Sequence, residues 1–293
     1  MFRAAPYTLL VLLGVIWGAN FLFMKEAVER ISPLQVAWLR VAFGAAPIIA
    51  LASWRKEFKT TDLAAWRHLL TMALLANIGP YVFFVIGTAH LSSGVAGAIS
   101  GAIPVMTALI VAIAIPSEKL ALRAVLGVAL GFEGVLLVSG DLSGGSAVGV
   151  AAMLAGSLSY ALAVVYARRF ITQLGMSAVK LAAYQTGITM LMLTLFIPKT
   201  GTEAILSDMP ALVGLVLGLG FVGTGLAFVI YYYLIERLGA IKAASVYYLP
   251  PAVALFLGYA ARGETVSTLQ MVGAFAIALG VFLATTASQQ RHS

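Results

Sequence analysis

Residues 104–135, PVMTALIVAIAIPSEKLALRAVLGVALGFEGV, and residues 251–281, PAVALFLGYAARGETVSTLQMVGAFAIALGV, carry the same landmarks in the same order. Pro104 answers to Pro251 at an offset of 147. Glu118 answers to Glu264, Gly127 to Gly273 and Gly134-Val135 to Gly280-Val281, all at 146. His90-Leu91 and Arg237-Leu238 extend the match backwards at 147. The chain therefore reads as two copies of one unit, residues 1–142 and 143–293.

Each copy is too apolar for water. Of 293 residues 61% are hydrophobic and 10% charged, with a mean hydropathy of +1.01, whereas a soluble domain carries about 25% charged residues. Lipid must cover what so few charges cannot. A helix needs roughly 20 apolar residues to cross the hydrocarbon. Cutting at charge and turn clusters leaves ten such stretches, near 7–25, 34–53, 67–89, 93–115, 120–139, 147–167, 178–198, 209–234, 240–261 and 266–287. Ile31-Ser32-Pro33 supplies a serine N-cap and a first-turn proline, and Pro116-Ser117-Glu118-Lys119 and Ser143-Gly144-Gly145 are turns. Barrel strands would be shorter and would alternate in polarity. Arg3 before an apolar run resembles a signal peptide, but the run is too long and has no clear cleavage site, so it reads as the first span. The expected class is an all-α polytopic membrane protein.

Five spans per copy is an odd number, so the second copy enters the membrane upside down. Ten spans place both termini on one side. Loops of that side hold thirteen of the 18 Lys and Arg residues, against Lys25, Arg30, Lys199 and Arg262 on the other side and Arg40 within a span. The positive-inside rule puts the thirteen, and both termini, in the cytoplasm. Basic residues scattered in ones to threes at helix ends do not make a nucleic-acid face. Inverted halves can exchange conformations and open one central site to either side in turn, as secondary transporters do. No Walker motif points to ATP, no cofactor motif is present, and Cys 0 excludes disulfides, thiolate metal sites and cysteine nucleophiles. An intramembrane enzyme would need a nucleophile and base or metal ligands within the spans, where no histidine lies at mid-span.

Trp17-Gly18-x-Asn20-Phe21, Pro33…Arg40, Ala89-x-Leu91-Ser92, Pro104, Glu118 and Gly127…Gly134, with the weaker copy Leu238, Pro251, Glu264, Gly273 and Gly280, resemble the EamA pattern over essentially the whole chain. EamA proteins belong to the drug/metabolite transporter superfamily. Within it, the sequence looks most like the bacterial inner-membrane exporters of aromatic amino acids (the YddG type). The resemblance implies an EamA-like basket of two inverted five-helix repeats. Spans 1, 3, 4, 6, 8 and 9 would surround a cavity, 2 and 7 would lie outside them, and 5 and 10 at the periphery. It also implies export of small amphipathic metabolites, aromatic and other neutral amino acids first, with organic cations or another metabolite as alternatives and a channel as a distant one.

Polar and aromatic faces give candidate cavity residues. Asn77, Tyr81, Phe84 and Thr88 are spaced four, three and four on one helical face. Trp17 and Asn20 share a face of the first span, and Ser157 and Tyr160 one of the sixth. Tyr248 and Ser245 share a stripe of the ninth span, with Tyr247 about 100° around. Such residues also serve helix packing, and Tyr231, Tyr232 and Tyr233 read as an interfacial belt. An unpaired amide in hydrocarbon costs several kcal/mol, on the order of 2–7, so Asn20 and Asn77 must face something polar. Pro80, Pro104, Pro250 and Pro251 sit mid-span and would kink their helices, freeing the carbonyls of Ala76, Ser100, Val246 and Tyr247. Some of these would receive a substrate ammonium group while Trp17 and the tyrosines hold its ring; water or serine satisfying the kinks is the other reading. Arg40 and Glu133 lie at matching depth, so a salt bridge between them is the structural reading. The other reading has Arg40 bind a carboxylate. The first span holds no carboxylate in its core, which disfavours proton antiport.

Overall fold

The computed structural model describes residues 5–114, 122–140, 145–238 and 245–289. Helical segments stand where ten were expected: α1 (Ala5–Val28), α2 (Pro33–Trp54), α3 (Trp66–His90), α4 (Ser93–Ser100 and Ala102–Ala114), α5 (Leu122–Ser139), α6 (Gly145–Tyr166), α7 (Ala178–Phe196), α8 (Met209–Val213, Gly214–Leu226 and Ala227–Leu238), α9 (Pro250–Arg262) and α10 (Thr268–Gln289). No strand occurs among the described residues. By length and composition α1–α4 and α6–α8 are long and apolar enough to cross a membrane, while α5 and α10 offer the shorter runs Val125–Val138 and Thr268–Gly280. The chain is an all-α polytopic membrane protein. Exposed Leu191, Leu195, Phe196, Phe256, Phe275 and Phe282 give it an apolar outer face that only lipid satisfies.

The ends of the helices follow from their caps. Ser32 accepts from the Gln35 amide while the Gln35 side chain accepts from the Ser32 amide, a reciprocal box that starts α2. Ser92 and Ser177 cap α4 and α7, and Asp208 caps α8. Gln35 also donates to the carbonyls of Pro198 and Thr200, tying α2 to the end of α7.

α5 and α10 cross antiparallel on bare glycine backbone. A Cβ on Gly134 would meet the Gly273 carbonyl oxygen at 2.6 Å, and a Cβ on Gly280 would meet that of Gly127 at 2.6 Å. Gly127 corresponds to Gly273 and Gly134 to Gly280, so each contact is the image of the other. Residue 127 lies by 280 and residue 134 by 273, which makes the helices run oppositely. The crossing of α5 and α10 is thus locally symmetric, with corresponding glycines of the two repeats meeting in reverse order.

Two of the departures from regular α geometry are π turns within spans. α3 opens into a π turn at Ala73–Ile78, and α8 does so over Gly214–Leu226. Five glycines in the latter stretch let neighbours reach its backbone: Phe23 lies over Gly218, Asn20 over Gly223 and Phe43 over Gly220, while Gly225 meets the carbonyl of Gly44. A third departure overturns an expectation. Span nine does not run unbroken from 240 to 261; its helix begins at Pro250, preceded by the 3-10 turn Ser245–Tyr248. At about 1.5 Å per residue its 13 residues reach roughly 20 Å, short of a full crossing.

Pro104, Pro250 and Pro251 occupy the first turn of a helical segment, Pro104 after the break at Gly101 and the other two at the start of α9, where a proline lacks only an N–H that has no partner anyway. Pro80 sits inside the continuous helix α3, directly after its π turn.

Candidate functional site

Where α1, α3, α4, α6 and α8 converge on the turn before α9, the side chains enclose a small cavity. Trp17, Asn20, Phe21 and Met24 come from α1, Tyr81 and Phe84 from α3, and Ser100 and Ile103 from α4. Tyr160 comes from α6 and Phe228 from α8, with Tyr247 and Pro250 closing the wall and Arg40 reaching in from α2. Its volume is about 70 Å³, well below the ~300 Å³ at which ligand pockets begin. Rings fill the remainder. Trp17 stacks on Tyr247 at 5.2 Å between centroids, with Tyr231 at 5.4 Å and Phe228 at 6.3 Å. Phe84 lies 6.4 Å from both Phe21 and Tyr160.

Of the candidate residues, Trp17, Asn20, Tyr81, Phe84, Ser100, Tyr160 and Tyr247 line this space. Asn77 is buried in the π turn of α3, away from it. Tyr248 ends the 3-10 turn, and its side chain lies outside the described residues. Tyr231, expected in an interfacial belt, packs its ring against Trp17 instead.

Arg40 was expected outside the ring of helices, paired with Glu133. It is 7% exposed and turned inward. Its Nε donates to Thr224 Oγ1 at 2.8 Å, its Nη1 reaches only Met24 Sδ at 3.9 Å, and its guanidinium lies 4.2 Å from the Tyr81 ring centroid. Thr224 in turn donates to the Leu219 carbonyl at 2.9 Å, so the π geometry of α8 fixes the hydroxyl that holds Arg40. Glu133 is exposed on α5. No carboxylate pairs with Arg40 among the described residues, and the expected salt bridge is not formed.

Two further polar atoms of the wall lack partners. Asn20 Nδ2 donates to the Gly223 carbonyl at 3.1 Å, which leaves Asn20 Oδ1 without a donor, and the Tyr81 hydroxyl also has no partner. Both residues are more than nine-tenths buried. Two of the four carbonyls expected to be free are otherwise disposed. In the π turn Gly79 N–H bonds to Leu74, five residues back, so the acceptor Pro80 leaves open moves from Ala76 to Leu75, where the Ser159 hydroxyl donates at 2.8 Å. The Val246 carbonyl accepts from Leu249 N–H at 3.1 Å. The Ser100 hydroxyl donates to the Gly97 carbonyl at 2.6 Å.

At one end of the bundle, charged side chains tie the helices together. Arg262 pairs with Glu29 at 2.5 Å, Arg30 with Asp208 at 2.8 Å, and Glu264 accepts from the amides of Ser93 and Gly94 at the start of α4. Glu118, its counterpart in the first repeat, lies outside the described residues. At the opposite end, Asp62 pairs with Lys180 at 3.2 Å and accepts from the Tyr184 hydroxyl.

The sequence profile of the EamA-like transporter family matches residues 5–140 and, a second time, 147–286. The uncharacterized inner membrane transporter YedA of Escherichia coli is 29% identical, over 93% of this chain and 88% of its own. The uncharacterized transporter YoaV of Bacillus subtilis is 23% identical, over 96% and 98%. A solved protein crystal structure superposes with a TM-score of 0.62 at 19% identity, covering 98% of this chain and 99% of that one; at that identity it speaks for the fold alone.

Proposed function

Because the chain belongs to the EamA-like transporter family, we propose that this membrane transporter is a secondary exporter of small amphipathic metabolites, aromatic and other neutral amino acids above all, working by alternating access. It would sit in the bacterial inner membrane with both termini in the cytoplasm. The observation that carries the substrate class is the ring-walled cavity into which both repeats send side chains, Trp17 and Tyr81 from the first and Tyr160, Phe228 and Tyr247 from the second. Stacking and edge contacts from such rings contribute on the order of 1 kcal/mol each to an aromatic guest.

At about 70 Å³ the cavity admits water or a small polar group, not a whole aromatic amino acid. A substrate ring would displace Tyr247 from its stack on Trp17, and that exchange gives binding a direct grip on the segment leading into α9. The organic-cation alternative is disfavoured by the positive Arg40 in the wall. No carboxylate lines the cavity among the described residues, which favours export down a gradient over proton exchange. Uptake of labelled phenylalanine, tryptophan, threonine and an organic cation into proteoliposomes, with and without a pH gradient, tests the reading. Saturable uptake of the aromatic amino acids is expected; uptake of the cation alone would overturn it.

A further inference from the structure

Arg40 presents an unbalanced charge. A guanidinium carries five N–H donors; here Nε is bonded to Thr224, Nη1 meets only a thioether, and no anion faces the group among the described residues. Burying an ion without a counter-charge is costly, and the cost persists only where something repays it. The residue could have turned outward, as long basic side chains in membranes do. Instead, Thr224 and the Tyr81 face hold it into the cavity. Two atoms of the same wall, Asn20 Oδ1 and the Tyr81 hydroxyl, are also unsatisfied. The cavity thus offers a planar cation, a bare acceptor and a hydroxyl to whatever enters.

We propose that the Arg40 guanidinium receives a carboxylate of the transported molecule, with Asn20 Oδ1 accepting an N–H from the same molecule. The proposal rests on the reading that this cavity carries the substrate and narrows it: the cargo bears a carboxylate, whatever its side chain. A carboxylate accepts two parallel N–H bonds from a guanidinium, and the donors left over on Arg40 are of that kind. Lysine would supply charge without the fork.

Isothermal titration of the full-length protein in lipid nanodiscs tests this with two ligand series. One compares phenylalanine, 3-phenylpropionate and phenethylamine; the other compares leucine, 4-methylpentanoate and 3-methylbutylamine. In at least one series the amine lacking a carboxylate is expected to bind at least tenfold more weakly than the two carboxylates. Arg40→Gln should weaken the carboxylates at least tenfold and change the amine less than threefold, and Arg40→Lys should fall between. If Arg40→Gln does not fold, the wild-type comparison decides alone. Carboxylate dependence confined to the leucine series would end the aromatic reading while leaving Arg40 as the receptor. Amines binding within threefold of the acids, an equal loss of all ligands in Arg40→Gln, or no binding in either series would overturn the assignment.

Discussion

The backbones of Gly134 and Gly273 touch: a Cβ on Gly134 would lie 2.6 Å from the Gly273 carbonyl oxygen, and one on Gly273 would lie 2.7 Å from that of Gly134. Backbone that cannot yield flanks the contact, since Ile277 N stands 2.7 Å from the first position and Val138 N 2.7 Å from the second. Even alanine must push the helices apart. Overpacking of this sort costs about 1–3 kcal/mol, so Gly134→Ala and Gly273→Ala should each lower the thermal midpoint in detergent. Because the repeat maps this contact onto that of Gly280 with Gly127, Gly280→Ala should do the same. Alanine at Gly187, which lies inside α7 with open space around it, should not lower the midpoint, since alanine is the better helix former. Equal midpoints for Gly134→Ala and Gly187→Ala would remove the close crossing.

The glycines of that crossing were legible as landmarks because a repeat preserves spacing, and seven of the spans because lipid demands long apolar runs. The inward faces of α1, α3 and α6 followed from polar and aromatic residues at helical spacing. Arg40 was read first as the partner of Glu133, away from the cavity, for a different reason. Its helix lies outside the ring, and only a long side chain, caught by a hydroxyl on α8, brings the charge into the centre. That hydroxyl is placed by a π turn, which a 3.6-residue periodicity cannot reveal. The start of α9 escaped because a proline reads alike as a kink within a helix and as the first residue of one; the turn before it decides, and that turn has no signature of its own.

Trp17 is the ring with most neighbours in the cavity wall, stacked on Tyr247 and flanked by Tyr231 and Phe228. With each ring contact contributing about 1 kcal/mol, Trp17→Ala should raise the half-saturating concentration for tryptophan export roughly fivefold to thirtyfold. Trp17→Phe should raise it much less. Proteoliposome counterflow of labelled tryptophan reads both. Unchanged export in Trp17→Ala would place the site elsewhere.

The Asp208 carboxyl sits below the ordinary carboxylate range, held there first by the Ala211 amide and then by the hydrogen bond from Arg30. A carboxyl whose folded value is depressed stabilises the fold above the unfolded value, about 3.8, and that contribution vanishes as pH falls through the lower folded value. Asp208→Asn should therefore melt below the wild type at pH 7, and the two curves should converge as the pH is brought under about 3.8. A gap that persists unchanged at pH 3 would show that the charge is not its source. Raised salt should narrow the gap at pH 7, because the Arg30 partner is half exposed.

Glu29, at the end of α1, is bound to Arg262 at the end of α9, and Arg262 also lies 3.7 Å from Glu264, which caps α4. These links join three helices that line the cavity, and for alternating access they must part when this end opens. The chain has no cysteine, so a single Ser100→Cys introduces one thiol in the cavity wall for a maleimide to find. Exposed ion pairs contribute about 0.2–1 kcal/mol, which converts to a shift of up to about fivefold in the open population. Arg262→Ala in that background should raise the labelling rate by up to that factor. Glu29→Gln should act in the same direction, and 0.5 M salt should mimic both. A labelling rate indifferent to Arg262, Glu29 and salt, in protein with an unaltered melting curve, would mean that this end is held shut by packing alone and that the ion pairs take no part in the cycle.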